Sequence, residues 1–154
     1  MRKILYLIFA GVLLTACQPE GRVYSEHQDL SPNVEWLRKD MRTFKVPIED
    51  IDATYTLSLS FRYANGFSQQ KAKVLIERIS PSGKVARAVK ELKIRDENGE
   101  YIGEAGYDIW DSEHLVEEEE KFQEKGTYTY HLSHAMDKDP LNYAMEIGLI
   151  LDKK

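Results

Sequence analysis

Along most of this chain the hydrophobic residues recur at every second position, the spacing of half-buried β-strands. The longest such run is Thr54–Tyr63, where Tyr55, Leu57, Leu59, Phe61 and Tyr63 alternate with Thr54, Thr56, Ser58, Ser60 and Arg62. Successive strand side chains point to opposite faces, so one face of this segment is apolar and the other wet. Phe44, Val46 and Ile48 repeat the pattern around Pro47, which has no N–H to give a ladder and therefore marks an edge strand. Tyr128, Tyr130 and Leu132 make a third inward row, and Met145, Ile147, Leu149 and Leu151 a fourth. Val74–Ile79 is a shorter apolar stretch that stops at Ser80-Pro81-Ser82-Gly83, where Pro and Gly supply the dihedrals of a tight reversal.

Two segments fit more than one element. Lys84–Ile94 reads as a strand, but also as a helix with Val85, Val89 and Leu92 on one side and strong helix formers around them. Ser112–Lys125 reads as a helical turn or an acidic loop. The remaining short strands, with turn signals between them, predict an all-β fold. We expect one antiparallel β-sandwich, Ig-like or jelly-roll-like, over residues 23–154.

The N-terminus has a different texture. Arg2 and Lys3 precede an unbroken apolar run, Ile4–Leu14, which has the length of a signal-peptide core. A membrane span needs about twenty such residues, so this run is too short to make one. Leu14-Thr15-Ala16-Cys17 follows, a lipobox: an apolar residue, two small ones that fit the peptidase, and the thiol that accepts diacylglycerol. An ordinary secretory signal with a stray cysteine is the competing reading, and cysteine directly after the cut favours the lipoprotein. Residues 1–16 are thus expected to be the signal peptide, Cys17 the lipidated residue and 17–22 a short tether. Cys17 is the sole cysteine, so the mature chain can form no internal disulfide, cysteine metal site or thiol nucleophile. Two or more acyl chains hold a protein firmly, at roughly 0.8 kcal/mol per buried CH₂. The five residues after Cys17 reach about 20 Å at most, which is expected to keep the domain close to its membrane. Gln18 is not the aspartate that retains lipoproteins at the inner membrane, and Gln18–Arg22 holds one acid. The periplasmic face of the outer membrane is therefore the expected location.

Charge narrows the partners. Loss of the signal removes Arg2 and Lys3 and leaves nineteen basic against twenty-six acidic residues, a net −7. An acidic domain lacks the basic face that displaces counterions from nucleic acid, so no nucleic-acid partner is expected. It also lacks a polybasic patch for lipid headgroups, which leaves the lipid itself as the membrane contact.

No catalytic constellation stands out. His131 and His134 have metal-like spacing, but residues three apart on a strand face opposite ways and cannot share an ion. Asp96-Glu97-Asn98-Gly99-Glu100 has glycine fourth, not sixth as in an EF-hand, and reads as a polar turn, with a sandwich-rim calcium site as the alternative. Glu117–Glu120 reads as a solvated charge run. Asp108 and Asp111 have the residue types of a glycosidic acid/base pair, without a third group to support that role. G-x-S-x-G, HExxH and glycine-rich phosphate loops are missing from the sequence. We expect neither an enzyme nor a cofactor. Trp36, Trp110 and Tyr107 are candidates for a sugar-stacking platform, set against ordinary core packing.

Several features occur together along nearly the whole mature chain. After the lipobox come Val23-Tyr24, Trp36 with Asp40, Phe44 and the Tyr55–Arg62 strand. The glycine-spaced stretch from Gly99 to Ile109, the Phe122/Gly126/Tyr128 segment, Met136 and Ile147-Gly148-Leu149 follow. Collectively this layout resembles the gliding-motility lipoprotein H (GldH) family of the Bacteroidetes. Asp137 stands where the family tends to have arginine, and Ala64-Asn65-Gly66-Phe67-Ser68 replaces its Asn- and Tyr-rich turn. The resemblance implies a non-enzymatic envelope lipoprotein. It would support gliding, and with it secretion of cell-surface adhesins, through protein partners of that machinery. The resemblance also tips Lys84–Ile94 toward strand. A carbohydrate-binding envelope module is the alternative function.

The expected partner-binding surface is Gly99–Asp111, with Tyr101, Tyr107, Asp108, Ile109 and Trp110 as its contact residues. Three glycines make this stretch a poor strand interior, yet it carries large aromatic and aliphatic side chains. Loops on rigid scaffolds concentrate binding groups, and Trp and Tyr are the usual anchors. The competing expectation is that these aromatics fold back and cap one end of the sandwich. The short tether is expected to hold this loop near the membrane.

Overall fold

The computed structural model describes residues 21–154; the signal segment, the lipobox and Cys17 lie outside the described residues. Eleven strands and no helix are present among the described residues. They are β1 (Arg22–Asp29), β2 (Glu35–Trp36), β3 (Arg42–Ile48), β4 (Tyr55–Ala64), β5 (Lys71–Ile79), β6 (Val85–Lys93), β7 (Glu104–Ala105), β8 (Ile109–Glu120), β9 (Gly126–His134), β10 (Leu141–Asn142) and β11 (Ala144–Lys153). One sheet has the order β1-β11-β4-β8-β7 and the other β3-β9-β5-β6, with β2 and β10 forming a small separate ladder. Every named pairing is antiparallel.

The alternating rows meet between the two sheets, as expected of a sandwich. Tyr55, Leu57, Leu59, Phe61 and Tyr63 of β4 are all buried at the centre of the larger sheet. Ile147, Leu149 and Leu151 of β11 lie beside them, and Phe44, Val46, Ile48, Tyr128, Tyr130 and Leu132 contribute from the smaller sheet. Each such side chain is worth roughly 1.5–3 kcal/mol of burial. Pro47 lies on β3, an edge strand, where its missing N–H costs no ladder bond. The Ser80–Gly83 reversal joins β5 to β6, with Gly83 N–H donating to Ser80 O at 2.9 Å.

Ser112–Lys125 departs from the expectation of a helical turn or loop, since most of it belongs to β8, the longest strand. Its inward row is Ser112, His114 and Val116, and two polar members hide the alternation. Ser112 Oγ donates to Phe61 O at 3.1 Å and lies 2.9 Å from His114 Nε2, so both polar groups are satisfied inside. Lys84–Ile94 forms strand β6 despite its helix formers, because β5 offers it a full nine-residue ladder.

The strand count fixes which loops share an end. The chain enters at Gly21, whose carbonyl accepts from Lys153 N–H at 2.7 Å, next to the start of β4. Past the far end of β4, Asn65 N–H donates to Asp108 O at 2.9 Å. The two sites are therefore a full ten-residue strand apart, about 30 Å.

Candidate interaction site

Residues 94–108 link β6 of the smaller sheet to β8 of the larger and form a flap across one end of the sandwich. Its first half is a polar turn. Asp96 Oδ1 accepts from Asn98 N at 2.8 Å and Glu100 N at 2.9 Å, and Arg95 bridges to Tyr101 across it. Gly99 has φ +84°, which a side-chain-bearing residue rarely adopts. Its second half lies down on β8. Gly103, at φ +131°, passes so close over the Asp111 backbone that a Cβ would clash with it. Glu104 and Ala105 then pair with Asp111 and Trp110, and Gly106 N–H donates to Ile109 O at 2.7 Å to close the tip.

The five expected contact residues divide between stem and tip. Tyr101 packs 5.5 Å from the Tyr63 ring and 5.3 Å from the Trp110 ring, with the Arg95 guanidinium 3.8 Å from its ring centroid as a cation–π partner. Its hydroxyl accepts from Gly66 N–H at 3.0 Å and donates to Phe67 O at 3.2 Å. Trp110 is half-buried, and its Nε1–H donates to Asn65 Oδ1 at 3.0 Å. Ile109 is likewise half-buried. Asp108 is exposed but accepts from Asn65 Nδ2 at 2.9 Å. Tyr107, at the tip, is 100% exposed. The aromatics at 101 and 110 thus lock the stem, while Tyr107 projects.

The stem also walls a groove that the sequence did not reveal. This groove has a volume of about 650 Å³ on the outer face of the larger sheet. Ile102, Gly103 and Glu104 form one side, and Arg22 and His27 of β1 the other. Across its floor Arg62 binds Asp111 at 2.7 Å and lies 3.5 Å from Glu146. His27 Nδ1 is 2.8 Å from Ser60 Oγ, a bond that crosses over Gly148, where a Cβ would collide with both groups. Outward polar positions of the Thr54–Tyr63 alternation hinted at Ser60 and Arg62. Their partners come from strands far away in sequence.

Other candidates are dispersed. Trp36 is fully buried, with Nε1–H donating to Asp40 O at 2.8 Å, so it offers no face to a sugar and the three-ring platform does not assemble. His131 faces outward beside Thr43 Oγ1 at 2.9 Å, while His134 is buried, edge-on to Trp36 and 3.1 Å from Asp139. Burial holds the pKa of His134 below its ordinary value against the pull of Asp139. Among the described residues no group of three potential metal ligands comes together. Gly21 and the flap occupy opposite ends of the sandwich, so a short tether at Gly21 does not by itself bring the flap to the membrane.

The fold and these features define an all-β sandwich domain whose outward structures are a loop-built flap and a polar groove. The model of the GldH lipoprotein family matches residues 22–151, and the chain belongs to that family. It is 27% identical over 137 residues to a gliding motility lipoprotein GldH homolog of Christiangramia forsetii, covering 89% of this chain and 82% of the relative. It is 26% identical over 130 residues to gliding motility lipoprotein GldH of Flavobacterium johnsoniae, covering 84% and 79%. Among solved structures, a family GH115 4-O-methyl-α-glucuronidase aligns with all of this chain and 20% of its own, at 12% identity and a TM-score of 0.41. That likeness is too low to carry an argument about fold or activity.

Proposed function

We propose that this protein is a non-enzymatic lipoprotein, anchored through Cys17 at the periplasmic face of the outer membrane. It supports gliding motility and the associated secretion of surface adhesins by binding a protein partner. Family membership and the names of the two relatives support the gliding role. The observation that carries the binding role is Tyr107: a fully exposed aromatic on the tip of a flap whose stem is locked by Tyr101 and Trp110. A rigid stem holding an exposed ring lowers the ordering cost of docking, and Tyr is among the residues that dominate interfaces. Ile109 and Asp108 flank the tip as secondary contacts.

The test is complementation of a deletion strain, read as colony spreading and as adhesin in the medium. Tyr107→Ala is expected to lose both while its melting temperature holds. Trp110→Ala is expected to lose about 3 kcal/mol of stability, the lower end for removing a large aromatic. A Tyr107→Ala, Asp108→Ala double variant that complements fully would overturn the flap as the binding surface. Labelled palmitate that still enters a Cys17→Ser protein would overturn the anchor. Digestion by protease added to intact cells would overturn the periplasmic placement.

A further inference from the structure

One side of the sandwich is open. The last strand of the smaller sheet, β6, has no neighbour beyond it, and β7 covers only Trp110 and Asp111 of β8. Val85–Lys93 and Ser112–Glu120 are therefore two free edges of nine residues each, one above the other. Between them lies a cavity of about 310 Å³ that reaches the core side chains Leu57, Ile76 and Tyr130. It exists because the inward β6 positions Ala86 and Ala88 are too small to fill it. Exposed strand edges of this length are normally covered or blunted, since their unpaired N–H and C=O groups invite another strand.

The charges on the two edges are opposite. Lys84, Arg87, Lys90 and Lys93 lie on or beside β6, with Glu91 the one acid there, whereas the β8 edge carries Glu113, Glu117, Glu118, Glu119 and Glu120. Among the described residues Lys84, Lys90 and Lys93 have no ion-pair partner, nor do Glu117 and Glu119. The exposed apolar residues match as well: Val85 and Val89 on the outer face of β6, and Leu115 on the outer face of β8.

We propose that this seam is an interface between two copies of the chain, in which β6 of each pairs with β8 of the other. Direction permits it. Strand β5 runs antiparallel to both β6 and β9, and β8 turns directly into β9, so β6 and β8 run in opposite senses. A two-fold axis along the strands, through the seam, then sets β6 beside the partner copy's β8 in the antiparallel sense, twice over. Each smaller sheet becomes continuous with the other copy's larger sheet, cationic edge meets anionic edge, and Val89 meets Leu115. A two-fold axis normal to the sheets would instead place cations on cations and glutamates on glutamates. The axis along the strands also leaves both Gly21 ends on one side, as two chains in one membrane require; this last point rests on the Cys17 anchor proposed above.

The experiment uses the full lipidated chain extracted in mild detergent, with mass read by light scattering corrected for detergent. The native protein is expected at twice the monomer mass. Glu117→Lys with Glu119→Lys is expected to give monomer, as is Lys84→Glu with Arg87→Glu, the cations at the height of those glutamates, and all four changes in one chain are expected to restore the dimer. A monomeric native protein overturns the proposal, as does a dimer that survives either reversal, or recovery of a monomer bound through this seam to a different protein. A second measurement does not depend on how the reversals fold. Co-expressed Val89→Cys and Leu115→Cys chains are expected to crosslink to each other in cells, whereas Val89→Cys crosslinking to itself would overturn the arrangement.

Discussion

Replacing Gly103 by alanine tests how firmly the flap is held. The new Cβ would lie 2.8 Å from Asp111 C, nearer still to its carbonyl oxygen, and 3.2 Å from Ser112 Cβ. The first obstacle is backbone, so no side-chain rotation relieves it. Overpacking of this kind costs roughly 1–3 kcal/mol, and a non-glycine residue held at positive φ a further 1–3. The flap has a cheaper escape, which is to lift off β8. What it then gives up is the Tyr63–Tyr101 and Tyr101–Trp110 ring contacts, about 0.5–1.5 kcal/mol each, and the Tyr63 hydroxyl bond to Ile102 O, about 0.5–1.5 more. These terms sum to about 2–4 kcal/mol, before the exposed backbone bonds of the flap to β8 are added, and local detachment limits the loss to about this order. For a domain of this size that is a fall in melting temperature of about 5–15 °C. Hydrogen exchange gives the sharper readout. The Ile102 and Gly106 amides, which bond Ile94 O and Ile109 O, are expected to lose protection while β4 and β11 keep theirs. Gly99→Ala is the control, since it shares a positive φ but has nothing within 4 Å of the new Cβ. Unchanged flap exchange in Gly103→Ala, or equal effects at both glycines, would refute the steric argument.

Three further predictions follow from single groups. Burial, with Lys90 nearby, lowers the His114 pKa to about 4 from an unfolded value near 6.5. The unfolded chain alone binds this proton between those values, so stability is full above pH 6.5 and falls toward pH 4. The fall is at most about 3 kcal/mol, and His114→Gln should flatten it in denaturant titrations across that range. Trp36→Ala empties a fully buried site beside His134 and should cost about 3–5 kcal/mol by chemical denaturation, far more than Tyr107→Ala at the exposed tip. Tyr63→Phe removes only the hydroxyl that donates to Ile102 O at 2.5 Å. It should cost about 1 kcal/mol and raise flap exchange without moving the core.

The core was legible because its rows are cleanly apolar: every inward residue of β4 is aromatic or leucine, and Pro47 declared its edge. Strand β8 was not, because Ser112 and His114 occupy inward positions where hydrogen bonding to Phe61 O and to each other replaces hydrophobicity. A period-two search on apolar residues cannot see such a row. The β6 segment was ambiguous for the opposite reason, since its inward alanines and its lysines suit a helix as well as an edge strand. At the candidate site the stretch Gly99–Asp111 stood out by composition. Its division into stem and tip did not, because that depends on Tyr63, Asn65 and Arg95, whose contacts with Tyr101, Trp110 and Asp108 come from the fold. The groove was hidden likewise: Arg62, Asp111 and Glu146 converge from three strands separated by most of the chain.

The separation of the flap from the start of the domain has a simple geometric origin. A short tether limits how far the start of the domain can lie from the bilayer, but says nothing about its other end. Full-length strands act as a parity counter, since each carries the chain from one end of the sandwich to the other. Between Gly21 and the flap the chain runs through β1, β3, β4, β5 and β6, an odd number, so the flap must emerge at the far end. Had Lys84–Ile94 been a helix lying outside the sheets, the count would not have closed, which is why that one ambiguous segment also decided the orientation. With the anchor proposed at Cys17, the sandwich becomes a strut of about 30 Å, one strand long. It would place Tyr107 clear of lipid headgroups, where a soluble or membrane-spanning partner can reach it from the side or from above. The open seam between β6 and β8 lies along the strut rather than at its tip. The proposed pairing of two copies would therefore stiffen the stalk and set two flaps side by side without covering either.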